Sequence, residues 1–212
     1  MVQRSPNAVS SSQFSTKQRI LEAAETLFAR HGFAGASLRQ VTSAANVNLA
    51  AVNYHFGSKD KLIEEVFRRR LDELNKRRLH ALEQLGETPT LEDALAAFIR
   101  PALELAREGE GGGAFVRVLA RAYAEHNDQL RKFLSENYGH VLKQFTKVFG
   151  TLLPQLKREE LYWRIDIVAG ALTYAMADFG IIQRREGVTE QQHREQAAEH
   201  LIRFAVAGLR AE

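Results

Sequence analysis

The chain has 212 residues, 45% of them hydrophobic, so it can bury a core in one or two domains. It contains no cysteine, which excludes disulfide bonds and thiolate chemistry and agrees with a reducing, cytoplasmic location. The formal net charge is +3, and this excess lies in residues 1–60, which carry six basic and three acidic side chains, against 23 of each in residues 61–212. Positive charge concentrated in one part of a chain favours phosphate binding.

No segment predicts a membrane protein. Residues 1–14 lack an apolar run, so we expect a disordered leader there and no signal peptide. The most apolar stretch, residues 165–182, contains Asp166 and Asp178. Each of these would cost about 2.5–3.5 kcal/mol at the centre of a bilayer. We therefore expect a buried helix in a soluble protein.

The apolar periodicity is helical throughout, which predicts an all-α fold of about nine helices. The first helix is predicted over residues 17–30. It is followed by Gly32, which suits the left-handed position after a helix. The first three helices are predicted to form an N-terminal domain at residues 15–60.

Residues 37–59 have the pattern of a helix-turn-helix. A short amphipathic helix follows Ser37, and a second short helix follows a turn that ends at Asn48. Both residues are good N-caps, because a short side chain can accept hydrogen bonds from the free backbone N–H groups. A thin second helix with polar residues on its exposed side fits the major groove. The segment therefore predicts binding to duplex DNA.

A fourth helix, towards residue 85, is predicted to bridge this domain and a larger helical domain at residues 61–212. Residues 86–89 are predicted to form the loop between the domains. Residues 109–113 contain four glycines and are predicted to be a flexible linker. They lack the Lys-Ser/Thr pair of a phosphate-binding loop. Further helices are predicted over about residues 91–107, 114–125, 128–150, 158–185 and 190–209.

Five segments of the first 65 residues, in this order and spacing, resemble the N-terminal domain of TetR-family transcriptional regulators. The resemblance implies a homodimer with a three-helix DNA-binding headpiece and a helical ligand-binding domain, acting as a repressor that a small molecule releases. The segments are Ile20-Leu21-x-Ala23-Ala24-x-x-Leu27-Phe28, His31-Gly32-Phe33, Ser37-Leu38-x-x-Val41, Ala45-x-Val47-Asn48 and Tyr54-His55-Phe56-x-x-Lys59-x-x-Leu62.

The resemblance also implies which residues contact DNA, and it implies that the DNA target is a palindromic operator. Tyr54, His55 and Lys59 match positions that touch phosphates, and Thr42 matches one that touches the DNA backbone. Tyr54 could alternatively be a core tyrosine, and His55 could pack beside Phe56. The complete predicted set is Ser37, Arg39, Thr42, Asn48, Leu49, Ala50, Ala51, Asn53, Tyr54, His55 and Lys59.

The sequence departs from the commonest family pattern at two positions of the recognition helix. Ala50 stands where many members have Gly or another small residue, and Asn53 stands where most have Tyr. An asparagine can form two hydrogen bonds to adenine in the major groove. We therefore expect Asn53 to contact a base. The operators of better-known family members then do not predict the DNA sequence that this chain binds.

Aromatic side chains in the second domain belong to the core by default. The resemblance nevertheless implies a pocket there for a small apolar or amphipathic effector. Residues 171–178 resemble, over a short stretch, family members that sense fatty acids or acyl-coenzyme A. The predicted lining is Phe98, Phe115, Leu119, Tyr123, Phe145, Trp163, Ile167 and Tyr174.

Long apolar faces on the last two helices predict a four-helix contact with a second copy. Such a homodimer would place its recognition helices about 34–36 Å apart, one turn of DNA. The alternative is that the last helix covers only its own core. The predicted dimer residues are Ala171, Ala175, Asp178, Leu201, Phe204 and Ala205.

The seven histidines form no metal-binding motif, and no nucleophile–base pattern is evident. We therefore predict no metal, no cofactor and no enzymatic activity. Two alternatives remain open. The chain could be a helical adaptor that binds protein, or an enzyme that uses a cavity in the C-terminal domain.

Overall fold

The computed structural model describes residues 15–106, 109–125, 127–177 and 184–211. These residues form α-helices and no strand, which confirms the all-α prediction for the described part of the chain. The leader predicted for residues 1–14 lies outside them. The helices are α1 (Thr16–Gly35), α2 (Leu38–Ala45), α3 (Leu49–Phe56), α4 (Lys59–Glu83), α5 (Leu91–Leu105), α6 (Gly109–Ala124), α7 (Asp128–Leu152), α8 (Arg158–Met176) and α9 (Glu190–Arg210).

Most helix starts are fixed by the residue that precedes them. Reciprocal capping boxes, in which the cap side chain and the third helical side chain each bond to the other's backbone, open four helices. Single side-chain caps open three more, α3, α4 and α7. The four capping boxes are Ser15 with Gln18, Ser37 with Gln40, Thr90 with Asp93 and Thr189 with Gln192.

Gly32 interrupts α1 before its last turn. Its φ of 74° lies in the region that glycine adopts without steric cost, so the chain bends there and the helix resumes for a few residues. The bend returns Phe33 onto the helix it has just left, with its ring centroid 5.6 Å from that of Phe28. Both rings are buried.

Helices α1, α2 and α3 form an N-terminal headpiece around a small apolar core, and α4 connects it to the rest of the molecule. The start of α4 packs on α1 and α3, and its later turns pack on α5 and α7. α1 also packs extensively on α6, so the headpiece contacts the C-terminal helices directly. The fully buried side chains of the headpiece and the start of α4 include Ile20, Phe28, Val41, Val52, Leu62 and Phe67.

A buried ion pair joins α1 to α4. Both Glu25 carboxylate oxygens accept hydrogen bonds from the Arg70 guanidinium, at 3.0–3.3 Å. Burial raises the pKa of Glu25 above its ordinary value, and the Arg70 charge offsets only part of that rise. The fork of two parallel bonds fixes the orientation of α4 against α1.

The structure differs from the prediction at residues 109–113, which are helical and form the start of α6. The prediction of a flexible linker there is wrong. Each glycine lowers helix stability by about 1 kcal/mol relative to alanine. The packing of α6 against α1 gives the helix tertiary support that local sequence does not reveal.

The remaining boundaries lie close to the predicted ones, except that α1 extends to Gly35, beyond its predicted end at residue 30, and that α8 ends at Met176. The predicted continuation to residue 185 falls largely on residues 178–183, which lie outside the described residues. Pro101 lies within α5, as expected. Among the described residues, no helix combines the length and the apolar character needed to cross a bilayer.

Candidate DNA-binding surface and effector region

The turn between α2 and α3 is held by local hydrogen bonds. Asn46 ends α2 in the left-handed conformation, with φ of 51°. The Asn48 side chain then accepts a hydrogen bond from the Ala51 N–H at 2.9 Å. The Val47 N–H donates to the Thr42 carbonyl at 3.0 Å. Because each of these bonds spans no more than five residues, the crossing of α2 and α3 is encoded within the segment itself.

Two buried side chains of α3, Val52 and Phe56, anchor the helix on the headpiece core. The opposite side of α3 is open to solvent and carries Asn53, Tyr54 and His55, with Leu49 and Ala50 exposed at its start. The Tyr54 side chain is 86% exposed, which contradicts the alternative that it belongs to the core. We call this set of five exposed residues the α3 face.

The other predicted DNA-contacting residues differ in how available they are. Arg39 is exposed on α2, whereas Thr42 is buried and its hydroxyl donates to the Arg39 carbonyl at 2.9 Å. The exposed Ser37 hydroxyl is engaged with Gln40 of its own capping box, at 2.9 Å. Asn48 is exposed although its oxygen caps α3, and Ala51 is half-buried.

Lys59 is the first residue of α4, immediately after the Ser58 cap. The cap hydroxyl accepts from the Lys61 N–H at 3.1 Å, and the Lys59 side chain is half-buried. The partial positive charge of a helix N-terminus adds to the ammonium charge at this position. This end of α4 and the α3 face are therefore suited to an anionic partner.

The predicted effector residues do not share one cavity in the structure. Phe98 and Phe145 stack edge to face in the core at 5.2 Å, and Phe115 contacts Phe67 of α4 at 5.6 Å. Leu119 is half-buried at the core margin. Trp163, Ile167 and Tyr174 are exposed on α8, and the Tyr123 side chain lies outside the described part of the structure.

A polar groove between α4 and α7 was not anticipated from the sequence. Its volume is about 540 Å³. Asn75 lines it although only 8% of this residue is exposed, and the Tyr138 hydroxyl donates to Asp72 at 2.7 Å. Burial and the Asp72 carboxylate raise the pKa of Tyr138. In the sequence Asn75 is followed by three charged residues, and such a charged run is typical of a solvated face.

The apolar surface of α8 and α9 is the second exposed region of note. Trp163 is 63% exposed on α8, and Phe204 is 67% exposed on α9. With Ile167 and Tyr174 they form what we call the association face. Of the predicted dimer residues, Ala171, Ala175 and Leu201 are half-buried, Ala205 is buried within its own protomer, and Asp178 lies outside the described residues.

The crossing of α8 and α9 is fixed by Arg164. Its guanidinium pairs with Glu160 at 2.7 Å and donates to three carbonyl groups at the end of α9, at 2.6–3.1 Å. A cation at a helix C-terminus also interacts favourably with the helix dipole. Arg164 is therefore paired, while Asp166 of the same helix is exposed. Among the described residues, no cluster of His, Asp and Glu could hold a metal ion.

Comparison with known protein families identifies both halves of the chain. The family described as Bacterial regulatory proteins, tetR family, matches residues 20–66, and the Tetracyclin repressor-like C-terminal domain matches residues 96–208. The second match alone covers more than half of the chain. The protein belongs to the TetR family. The recognition made from the headpiece motifs is thus confirmed.

The curated relatives match only a short part of the chain. The probable HTH-type transcriptional regulator YttP of Bacillus subtilis is 42% identical over 52 residues, which are 24% of this chain and 25% of the relative. The repressor AcnR of Corynebacterium efficiens is 43% identical over 47 residues, 22% and 25% of the two chains. The chain thus matches about a quarter of the length of these relatives.

Solved TetR structures share the fold of the whole chain. A TetR-like regulator from Rhodococcus sp. RHA1 matches with a TM-score of 0.65 and 18% identity, covering 99% of this chain and 100% of that one. The fatty acid degradation regulator FadR from Bacillus halodurans matches with a TM-score of 0.64 and 15% identity, covering 94% and 99%. At these identities the likeness establishes the fold.

Proposed function

We propose that the protein is a ligand-responsive transcriptional repressor that binds a palindromic DNA operator as a homodimer in the cytoplasm. The observation that carries this proposal is the α3 face. A helix two turns long is anchored from behind by Val52 and Phe56 and capped by Asn48, while its polar side points outward. Those are the requirements for a helix that enters the major groove.

The predicted DNA-contacting residues have different roles in this proposal. Asn53 reads a base, because its amide can both donate and accept at an adenine edge. Tyr54, His55 and Lys59 contact phosphates and so position the headpiece without reading sequence. Leu49 and Ala50 offer apolar contact to a thymine methyl group. The Thr42 hydroxyl already donates to the Arg39 carbonyl, so this side chain has no role as a donor to DNA. Only the backbone near Thr42 contributes to the DNA contact.

The association face supplies the dimer contact. Exposed tryptophan and phenylalanine side chains on adjacent helices leave apolar area in water that a second copy would cover. A twofold contact through α8 and α9 turns both headpieces to one side of the dimer. Two α3 faces then meet successive major grooves, about 34–36 Å apart.

For the effector, we propose a fatty acid or an acyl-coenzyme A. The support is the resemblance of residues 171–178 to members that sense such ligands, together with the named function of the fold neighbour FadR in fatty acid degradation. Aromatic rings fill the core, so the binding of an acyl chain there requires these rings to move apart. The groove between α4 and α7 offers polar partners for a carboxylate at its Asn75 and Lys76.

The direct test is a gel shift with the protein's own upstream DNA over a series of salt concentrations. We expect a discrete complex whose affinity falls steeply with salt, as phosphate contacts require. A protein that retains no DNA at low salt, but captures a partner protein, would be an adaptor instead. Selection from random DNA would then define the operator, which should be palindromic.

The effector proposal needs its own test on the operator complex. Palmitate and palmitoyl-coenzyme A would be added to the complex, with choline as a cationic control. Release of DNA by either acyl compound at micromolar concentration is the expected result. Release by neither, or by choline equally, would contradict the proposed effector class and leave the DNA-binding proposal standing.

A further inference from the structure

The last turn of α1 is capped from the other end of the molecule. After the bend at Gly32, the N–H groups of Phe33 and Ala34 donate to a side chain that follows α6. The Phe33 N–H donates to both carboxylate oxygens of Glu125, at 3.1 and 3.0 Å, and the Ala34 N–H donates to one of them at 3.3 Å. Glu125 directly follows α6 and lies 92 residues further along the chain.

The carboxylate fits there because residue 32 is a glycine. A Cβ built on Gly32 would lie 2.2 Å from the nearer Glu125 oxygen, so any side chain would displace the carboxylate. The positive φ of Gly32 separately disfavours other residues. One position thus provides both the bend that exposes the two N–H groups and the space in which their acceptor sits.

A column of aromatic rings runs beside this contact and joins the same helices. Phe33 lies 6.3 Å from Phe67 of α4, and Phe67 lies 5.6 Å from Phe115 of α6. Hydrogen bonds to a carboxylate are directional, so the Glu125 contact adds a defined orientation to the packing of α1 on α6.

We infer that Glu125 is a positioning residue for DNA binding, whose carboxylate holds the headpiece in a fixed orientation on α6. The consequence for DNA rests on the proposed function, whereas the contact itself does not. α1 carries α2 and α3 through the shared headpiece core, so what fixes α1 also fixes the α3 face. An effector that shifts the end of α6 removes the acceptor and leaves two N–H groups unpaired.

The experiment compares Glu125→Ala and Glu125→Gln with Glu87→Ala, which removes an exposed carboxylate from the loop after α4. Amide hydrogen exchange at Phe33 and Ala34 reports the contact. Operator affinity and its salt dependence report the effect on DNA. We expect Glu125→Ala to expose both amides and weaken operator binding about tenfold with an unchanged salt slope, since no phosphate contact is lost. Glu125→Gln should lie between it and the wild type, and Glu87→Ala should match the wild type.

Orientation can be measured without DNA, because the chain has no cysteine of its own. Spin labels on Ser43→Cys and Gln144→Cys, both exposed in the native chain, give the distance between the headpiece and α7 when labelled chains are diluted with unlabelled ones. We expect a narrow distribution that broadens in Glu125→Ala and not in Glu87→Ala.

Three results would overturn the inference: unchanged exchange at Phe33 and Ala34 in Glu125→Ala, an unchanged distance distribution, or unchanged operator affinity despite lost amide protection. If Glu125→Ala fails to fold, Glu125→Gln decides by the same measurements. A wild-type protein that binds no DNA would refute the proposed function, and the exchange and distance data would still decide whether Glu125 positions the headpiece.

Discussion

The α3 face and the association face both expose large side chains, and they differ in chemistry. Tyr54 on α3 is 86% exposed, and its neighbours are an amide and an imidazole that remain well solvated in water. Trp163, on α8, is 63% exposed and is accompanied by Ile167 and Phe204, which gain nothing from water. A surface with exposed hydrogen-bonding groups suits nucleic acid, and an apolar surface suits a protein partner.

The two faces also differ in how they are held. α3 is short and is fixed by caps and turns within its own segment. The association face depends on how α8 and α9 cross, and Arg164 fixes that crossing through bonds to residues more than forty positions away. Substitutions on the α3 face should therefore change DNA recognition alone, whereas substitutions on the association face should change assembly and, through it, everything else.

The largest effect is expected from Ile167→Glu, which places a charge on the association face. Burying an unpaired carboxylate costs several kcal/mol, so dimer affinity should fall by at least about 100-fold. Sedimentation measures the association, and operator binding should weaken with it. Gln84→Glu adds the same charge at an exposed position after α4 and should have no effect. A wild-type protein that is already monomeric would remove the dimer from the proposal.

A smaller effect, confined to one base pair, is expected from Asn53→Ala on the α3 face. Loss of a two-bond contact to adenine costs about 1–3 kcal/mol of discrimination against the wrong base. Selection from random DNA should return a consensus that is relaxed at one position in each half-site. Ser43→Ala, an exposed change on α2, is the matched control. An identical consensus for Asn53→Ala would exclude base reading by this residue.

Lys59→Ala should weaken binding to every DNA sequence alike. One phosphate contact per headpiece is removed, so the slope of log affinity against log salt should fall by about 1 for each headpiece. Lys132→Ala removes an exposed lysine from α7 and should leave the slope unchanged. The same slope for Lys59→Ala and the wild type would count against a phosphate contact at the start of α4.

The smallest effect is expected from Glu64 on α4, the helix that connects the headpiece to the C-terminal helices. Burial raises the pKa of this carboxyl, but hydrogen bonds from Lys61 and Gln129 outweigh burial and lower it below 4.5. The ionised group therefore stabilises the fold above pH 4.5, and this contribution is lost as pH falls through the lowered pKa. Glu64→Gln should lower the free energy of unfolding by about 1 kcal/mol at neutral pH. It should also make that free energy depend less on pH under acidic conditions. Denaturant unfolding between pH 3 and 7 measures both effects. If the stability of the variant changed with pH in parallel with that of the wild type, Glu64 would not have this role.

Local interactions explain how much of the molecule was predictable. Ser37, Asn48 and Gly32 act through bonds and dihedral angles within a few residues, so the headpiece could be predicted together with its bend and its recognition helix. The start of α6 could not, because its four glycines favour a linker locally and the packing of α6 on α1 involves residues far away in the sequence. The contact of Glu125 could not be predicted for the same reason, because its partners lie more than ninety positions earlier.

The effector residues show what periodicity leaves undecided. Phe98, Phe145 and Trp163 are aromatic residues of three predicted helices, and the family resemblance led to their prediction as the lining of one pocket. The structure buries the first two against each other and exposes the third. Which side of α8 turns inward depends on α5, α6 and α7, and no local signal in α8 records it.

Trp163 is the single tryptophan of the chain, and the association face is where it lies. In the dimer proposed above, its indole passes from water to an apolar contact, so its fluorescence emission should move to shorter wavelength on assembly. The protein thus carries an intrinsic optical probe of its own oligomeric state. Dilution of the native chain, followed by emission alone, would titrate that equilibrium without a label or a substitution.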